Sequence, residues 1–443
     1  MTASSYVAED LVARKKSIVR VIGSSLAGTS LEWYDHAIYG SAAALVFPKL
    51  FFPQSDPLTG TLLSMTIYGV GFLSRPLGGL LFGHFGDRIG RKTILIITLL
   101  LMGVTTFLIG LLPTYATIGI AAPICLTVLR LVQGIALGGE WGGASLMVSE
   151  IDPEGRRRGF YGSMVQVASP VGYLLAYGVF TVVTYSLSPE GFLDWGWRIP
   201  FLASAALIII GYYIRRSVAE SPLFVEIETR KAKSSAPIAE VLRLHWRSVL
   251  IAMGSRIGSD IVFYVFSVFL LVYLRLRLGL DTTTLGVMAL LGASFAQLIG
   301  IPIFGALSDR FGRRPILIFG AVSCIIWSFV FFILIDTKIT SLIFLATFIG
   351  MFLHAAMWAP LSSYMPEMFE TRVRYTGASL GFQGASVFGG ALAPIISTWL
   401  LGTYQAAWPI QIYVVLVLLL LIFCVWLAKE TAHENLRFTR EHA

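Results

Sequence analysis

Charge is scarce in this sequence. Asp, Glu, Lys and Arg make up 13% of its 443 residues, about half the ~25% of an ordinary soluble chain. Apolar residues make up 56%, and the mean hydropathy is +0.77. A soluble core of this composition would leave a surface too apolar for water, so that class is excluded. Cysteine is scarce too. Cys125, Cys324 and Cys424 each fall inside an apolar run without pair spacing, which excludes a disulfide framework and a thiolate metal site. The six histidines are scattered, so no metal cluster is expected. A Gly-rich loop ending in Gly-Lys-Ser or Gly-Lys-Thr is missing, which excludes a nucleotide-driven pump. The net charge of +8 does not gather on one solvated face, so a nucleic-acid partner is not expected. Residues 1–17 are polar and basic and show no cleavable apolar core. No catalytic residue, cofactor or metal is expected, and the chain reads as no enzyme.

What is abundant is apolar runs near the ~20 residues that a bilayer crossing needs. Twelve spans are expected, over 18–47, 58–83, 92–111, 117–148, 159–186, 197–215, 247–275, 283–307, 314–335, 339–364, 375–401 and 405–428. The chain therefore reads as an all-α polytopic membrane protein. Lys and Arg set its orientation. With the N-terminus inside, 25 of 33 fall on the inner side and five (Lys49, Arg198, Arg275, Arg277, Lys338) on the outer. Both termini are then cytoplasmic. The expected organisation is a cytoplasmic N-terminus (1–17), a six-helix bundle (18–215), a cytoplasmic linker (216–246), a second six-helix bundle (247–428) and a cytoplasmic tail (429–443).

One short stretch occurs twice. Gly83-His84-Phe85-Gly86-Asp87-Arg88-Ile89-Gly90-Arg91-Lys92 returns as Gly305-Ala306-Leu307-Ser308-Asp309-Arg310-Phe311-Gly312-Arg313-Arg314, an offset of 222, half the chain. Charges this dense cannot lie in lipid, so each copy reads as a tight loop at the inner surface. Glu150, Arg157 and Gln166 likewise match Glu367, Arg374 and Gln383 at an offset of 217. Internal repeats of this kind build transporters with a site near the midplane between the repeats.

These motifs carry a family resemblance. Gly83-xxx-Asp87-Arg88-x-Gly90-Arg91-Lys92, Arg130-Leu131-Val132-Gln133-Gly134 and Pro366-Glu367-Met368-Phe369-Glu370-Thr371-Arg372 resemble signatures of the major facilitator superfamily. Glu32-Trp33-Tyr34-Asp35, Arg75-Pro76-Leu77-Gly78-Gly79, Gly138-Gly139-Glu140-Trp141-Gly142-Gly143 and Trp195-Gly196-Trp197-Arg198-Ile199-Pro200 resemble its metabolite:proton symporter family. That family includes carriers of shikimate, α-ketoglutarate, citrate and proline/betaine. The resemblance implies the major facilitator fold in the cell (inner or plasma) membrane, surrounded by lipid. It implies a monomer that imports a small organic acid with H+ by alternating access. Import of zwitterions such as betaine or proline, or drug/metabolite:proton antiport on the same scaffold, is the alternative. The betaine-carrying branch typically ends in a long coiled coil, and the tail after Lys429 shows no heptad pattern.

A carboxylate inside a membrane span is costly and is by default a functional hypothesis. Glu32, Asp35 and Tyr39 fall on neighbouring faces of the first span. Burial favours the protonated carboxyl and a nearby Arg the ionised one, so breaking an ion pair can move a proton. Asp35, Glu32 and Arg130 are therefore the expected proton-coupling residues; a permanent ion pair is the other reading. Arg130 suits either an ion pair or an anion, gripped bidentately. Arg256 and Asp260, at i, i+4 on the seventh span, read as substrate ligands or as a self-satisfied pair, with Tyr264 continuing their face. Tyr39, Gln133, Gln166, Gln383, Trp358 and His354 complete the expected substrate site; a packing role for His354 stays open. A gating network is expected from Arg75 paired with Glu140 at similar depth, Arg88 with Glu150, and Arg310 with Glu367. Gly83, Asp87, Asp309 and Arg374 belong to the same network. Each Asp of the repeated loop is expected to cap the helix that follows it.

Overall fold

The computed structural model describes residues 3–89, 91–141, 145, 148, 157–216, 237–280, 285–369 and 373–432. Among these residues the chain is helical, with no strand. Numbering the longer helices in chain order, the first half holds α1 (Ala3–Leu45), α2 (Pro57–Leu73), α3 (Arg75–Ile89), α4 (Arg91–Leu111), α5 (Ala121–Gly138), α6 (Arg158–Gln166), α7 (Ala168–Ser186) and α8 (Arg198–Arg216). The second holds α9 (Pro237–Leu244), α10 (Trp246–Phe266), α11 (Val268–Leu276), α12 (Leu285–Phe311), α13 (Arg313–Asp336), α14 (Thr340–Glu367), α15 (Arg374–Ser386), α16 (Leu392–Tyr404) and α17 (Trp408–Leu427).

Nine stretches among the described residues are long and apolar enough to cross a membrane. A tenth is the pair Pro189–Gly196 and Arg198–Tyr213, bent by 49°. They match the third to twelfth expected spans. The first two are helical as well but fall short of the apolar criterion for physical reasons. α1 carries Glu32, Asp35 and His36 in its apolar part. The second span is interrupted at Ser74 into α2 and α3, of 17 and 15 residues.

The breaks have local causes. Pro170 has no N–H to give the Gln166 carbonyl, and Ser169 Oγ donates to that carbonyl instead, at 2.8 Å. The fifth span accordingly divides at Val167 into α6 and α7. Pro394 lies just after a π-helical turn, Val387–Ala391, which divides the eleventh span into α15 and α16. Ser267, with φ −122° and ψ −89°, separates α10 from α11. On the outer side Asp56 caps α2, accepting from Leu58 N (3.0 Å) and Thr59 N (3.1 Å). Hydrogen bonds from Thr59 hold its carboxyl below the usual carboxylate range.

The expected inner loops are almost absent. Helix runs through Asp87 and Arg88 to Ile89 and resumes at Arg91. In the second copy α12 runs to Phe311 and α13 starts at Arg313. The single connecting residue, Gly312, has φ +98°, a conformation closed to ordinary side chains. The side chains of Asp87 and Arg88, the backbone of Gly90, and Glu150 lie outside the described residues, so the expected Arg88–Glu150 contact does too.

The two halves meet along a central seam. α7 and α6 pack on α12, α6 also on α14, α3 on α15, and α1 on α11. Small residues allow the close approaches: a Cβ on Gly69 would lie 3.2 Å from the Ala391 carbonyl oxygen of the other half. Within the first half glycine makes room in the same way. A Cβ on Gly71 would lie 3.0 Å from Arg130 Cζ, so Gly71 leaves the room that the Arg130 guanidinium occupies.

Candidate functional site

The seam holds a run of charged and aromatic side chains that are nearly sealed from solvent; Asp35, Arg130, Arg256 and Asp260 are all less than 5% exposed. Three clusters make it up.

The first joins α1, α4 and α5. Asp35 Oδ1 accepts from Gln133 Nε2 at 2.6 Å and from Thr106 Oγ1. Its Oδ2 lies 3.5 Å from Arg130 Nη1. Arg130 Nη1 also donates to Gln133 Oε1 at 2.5 Å, and Gln133 Nε2 donates to Thr106 Oγ1 at 2.8 Å. The guanidinium lies over the rings of Tyr39 (4.1 Å) and Tyr68 (5.1 Å). Asp35, Arg130, Gln133 and Tyr39 therefore come together as the sequence indicates. Thr106 adds to them and escaped sequence reading, because a lone threonine is common in apolar helices and gives no signal.

The second cluster corrects an expectation. Arg75 pairs with Glu32, at 3.8 Å, and not with Glu140. Its Nη2 also lies 3.3 Å from His36 Nδ1 and 3.2 Å from His36 Nε2. Arg75 opens α3 directly after the Ser74 break, which turns its side chain toward α1. Similar depth alone could not separate Glu32 from Glu140 as partners. Glu140 is itself buried at the end of the fourth span.

The third cluster lies in the second half. Arg256 and Asp260 make two contacts, Nε to Oδ1 and Nη2 to Oδ2, each 3.2 Å. This is the self-satisfied i, i+4 arrangement. Arg256 Nη1 also donates to the Phe382 carbonyl. The guanidinium lies 3.2 Å from the Phe382 ring centroid and 5.7 Å from that of Trp358. Trp141 stacks on the other face of Phe382 at 3.5 Å and 11°. Phe382 is thus sandwiched between a first-half indole and a second-half cation. Trp141 stands in a motif that carried the resemblance but was given no site role, and Phe382 was not singled out, because aromatic residues in apolar spans are the norm.

Other expected site residues sort clearly. Tyr264 meets Tyr68 (6.1 Å) and Phe72 (5.7 Å) across the seam. Trp358 meets Trp33 at 5.6 Å and 87°. His354 is a packing histidine, bonded to Ser259 Oγ (3.0 Å), the Ser259 carbonyl (3.1 Å) and Gln297 Nε2 (2.9 Å) within the second half. Gln166 donates across the seam to the Trp358 carbonyl at 3.2 Å, and Gln383 to the Gly138 carbonyl at 3.3 Å. These equivalent glutamines tie each half to the other's backbone.

The inner end of the seam is held by charges. Asp309 does not cap its own following helix. It accepts from Gly159 N (2.7 Å) and Phe160 N (2.8 Å), at the start of α6 in the other half. A helix N-terminus offers unpaired N–H groups and a positive dipole end, so a carboxylate settles there. Glu367 pairs with Arg158 (2.9 Å) and Arg313 (3.3 Å), and not with Arg310. The Gly312 turn aims Arg313 back at Glu367, while Arg310 lies over Phe311 at 5.3 Å. Arg374 Nε donates to the Phe369 carbonyl at 3.2 Å. Glu430 caps α13 through Arg313 N (2.9 Å) and Arg314 N (3.0 Å), and Thr431 Oγ1 donates to Glu367 at 2.6 Å. At the outer end, Arg275 of α11 donates to the Ala44 carbonyl of α1 at 2.9 Å.

Gly377-Ala378-Ser379-Leu380-Gly381 has the spacing of a hydrolase nucleophile elbow. It lies inside helix α15, without the strand-to-helix turn that such an elbow requires.

Family models match both halves. A "Sugar (and other) transporter" model covers residues 21–245 and a "Major Facilitator Superfamily" model covers residues 252–443. Among similar proteins is the inner membrane metabolite transport protein YhjE of Escherichia coli K12, 38% identical over 94% of this chain and 95% of its own length. This chain belongs to the major facilitator superfamily. The shikimate transporter of Escherichia coli K12 is 39% identical, over 92% of this chain and 93% of that protein. The proline/betaine transporter of Salmonella typhimurium LT2 is 35% identical, over 94% and 85%. Among solved structures, the proton:xylose symporter XylE superposes with a TM-score of 0.73 over 96% of this chain and 98% of that one, at 18% identity, which speaks for the fold. The chain is therefore a multi-pass membrane transporter and not an enzyme. Asp35 and the Arg130–Gln133 pair, from two of the motifs that carried the resemblance, meet within the first half.

Proposed function

We propose that this transporter imports a small organic acid together with one or more protons, by rocking its halves about the seam. It would lie in the inner (plasma) membrane with twelve spans and both termini cytoplasmic. The supporting observation is the Asp35 cluster. A buried carboxylate shares one guanidinium with a glutamine, and Arg130 Nε and Nη2 have no hydrogen-bond partner among the described residues. Buried donors without acceptors cost about 1–3 kcal/mol each. Arg75 Nε, Trp358 Nε1, Tyr39 OH and Tyr173 OH are in the same condition nearby. A donor-rich interior fits a ligand rich in acceptors, and a carboxylate is the simplest. A proton on Asp35 would release Arg130 to that carboxylate, so proton and anion would enter together.

A second reading keeps the scaffold and changes the substrate. The rings of Trp33, Tyr39, Tyr68, Phe72, Phe263 and Tyr264 line the same interior, and aromatic faces hold quaternary ammonium groups. That favours a zwitterion such as betaine. Thermal shifts of the purified transporter with a panel of small carboxylates and betaines separate the two, because a ligand stabilises the native state it binds. Stabilisation by carboxylates supports the proposal; stabilisation by betaines alone overturns it. Accumulation against a gradient when the outside is acidic distinguishes symport from antiport on the same fold.

A further inference from the structure

Phe382 touches both a charge pair inside the second half and a ring of the first half. Its own ring is 2% exposed and is covered on both faces. On one face Arg256 Cζ lies 3.2 Å from the ring centroid, and Arg256 Nη1 donates to the carbonyl of the same residue. On the other face the Trp141 indole, from the fourth span, stacks at 3.5 Å and 11°. Next along α15, Gln383 donates to the Gly138 carbonyl at 3.3 Å, so this part of the helix lies against the first half. Phe382 stands about two turns from the start of α15 at Arg374.

This stack is not the one that two rings alone prefer. Aromatic faces are both negative, so rings favour an offset or edge-on contact over a centred sandwich. At 3.5 Å between centroids, Trp141 and Phe382 have almost no offset. Arg256 supplies what two rings lack. A cation over one face draws the π electrons of Phe382 toward itself and leaves the opposite face less negative. The indole then meets a face that repels it less. Asp260 holds the guanidinium in that place through two contacts of 3.2 Å. Trp358, of the second half, comes only to 6.5 Å and 45° from Phe382, so it does not stand in for Trp141.

We propose that Phe382 is a positioning residue that ties the Arg256–Asp260 pair to closure of the seam: its ring stacks firmly on Trp141 only while Arg256 covers its other face. This rests on the alternating-access reading above and goes beyond it, because it names the ring through which the charge pair acts on the seam. When the halves part, Trp141 leaves with the first half, while Phe382, Arg256 and Asp260 stay together in the second. An anionic ligand that draws the guanidinium off the ring loosens the seam, and by reciprocity an open seam loosens the hold on the guanidinium.

The test needs no known substrate. Ser145 Oγ donates to the Ser362 carbonyl across the closed seam at 2.9 Å, so a cysteine at position 145 reports opening. Its maleimide labelling is followed in the full-length transporter in lipid, with the labelling of Cys125, Cys324 and Cys424 subtracted. Trp141→Leu and Phe382→Leu should each quicken it by roughly two- to tenfold, the span that one aromatic pair supports. Trp141→Phe restores a ring and should quicken it less than Trp141→Leu does. The decisive result is a mutant cycle, which a packing defect at Trp141 alone does not reproduce. Arg256→Met with Asp260→Leu removes the cation without stranding its partner. In that background Trp141→Leu should change the rate by about half as much or less on a logarithmic scale, because the stack is already weakened. Arg256→Gln with Asp260→Asn is the second form of the background should the apolar one not fold. A Trp141→Leu effect as large without Arg256 as with it, or no effect on the otherwise unchanged chain, overturns the proposal. Failure of the organic-acid reading shows separately, as carboxylates that do not bind while the cycle holds.

Discussion

Asp35 and Arg130 show how an ion pair can be both buried and switchable. Removing one partner of a buried pair costs about 3–5 kcal/mol, because a lone charge remains in the interior. Asp35→Asn should cost less than that, since its amide can still accept from Gln133 and Thr106. The variant is expected to fold and to exchange substrate across the membrane, but not to accumulate it on a proton gradient; counterflow and gradient-driven uptake measured side by side check this. Arg256 predicts a different pattern. Its charge is matched by Asp260 through two contacts. Arg256→Met alone should lower stability by about 3 kcal/mol or more, and the double change Arg256→Met with Asp260→Leu by much less, since neither charge is then stranded. A thermal-unfolding double-mutant cycle measures the difference. At this scale the sequence was readable wherever charge stood out against apolar neighbours. Asp35, Arg130, Gln133 and Arg256 needed no structure to be found. Partner choice was not readable: Arg75 lies at a depth compatible with both Glu32 and Glu140, and only the Ser74 break decides between them.

The helices carry the repeat in a form that the sequence shows only in part. The two charged stretches were recognisable as equivalent, and their inner placement followed from charge density. Their roles depend on a helix end belonging to the other half, which spacing within one half cannot reveal. Asp309 caps α6, and Glu367 gathers Arg158 and Arg313. Asp309→Asn keeps one acceptor of two and removes the charge at the helix N-terminus. It should shift the resting population toward an inner-open form. Labelling of a cysteine introduced at Ser145, which donates to the Ser362 carbonyl at 2.9 Å in the closed seam, should quicken several-fold in that background. Unchanged labelling would show that Asp309 does not hold the seam. Gly312 has a simpler test. With φ at +98°, an alanine there is strained, and Gly312→Ala should destabilise by at least ~1–2 kcal/mol. A proline inside a span can be read from sequence as a bending point; the π turn at Val387–Ala391 carries no such mark.

Over the whole molecule, composition and repeats were enough to indicate a helical membrane transporter, and the family matches agree with that much. Ten of the twelve expected crossings also meet an apolar-length test among the described residues, and the remaining two miss it because of the polar groups in α1 and the break at Ser74. The orientation inferred from Lys and Arg predicts that epitope tags at either end are protected in intact cells and reached only after permeabilisation. Labelling of a tag from outside would overturn it. The central claim is that a carboxylate and a proton enter together through the Asp35–Arg130 cluster. Its most direct test is lumenal pH in proteoliposomes as carboxylates, with betaine alongside, are added outside. The account predicts that at least one carboxylate acidifies the lumen through the wild-type transporter. With Asp35→Asn that acidification should vanish, while exchange of the same carboxylate continues. Acidification through Asp35→Asn at the wild-type rate, or a response to betaine alone, would contradict it.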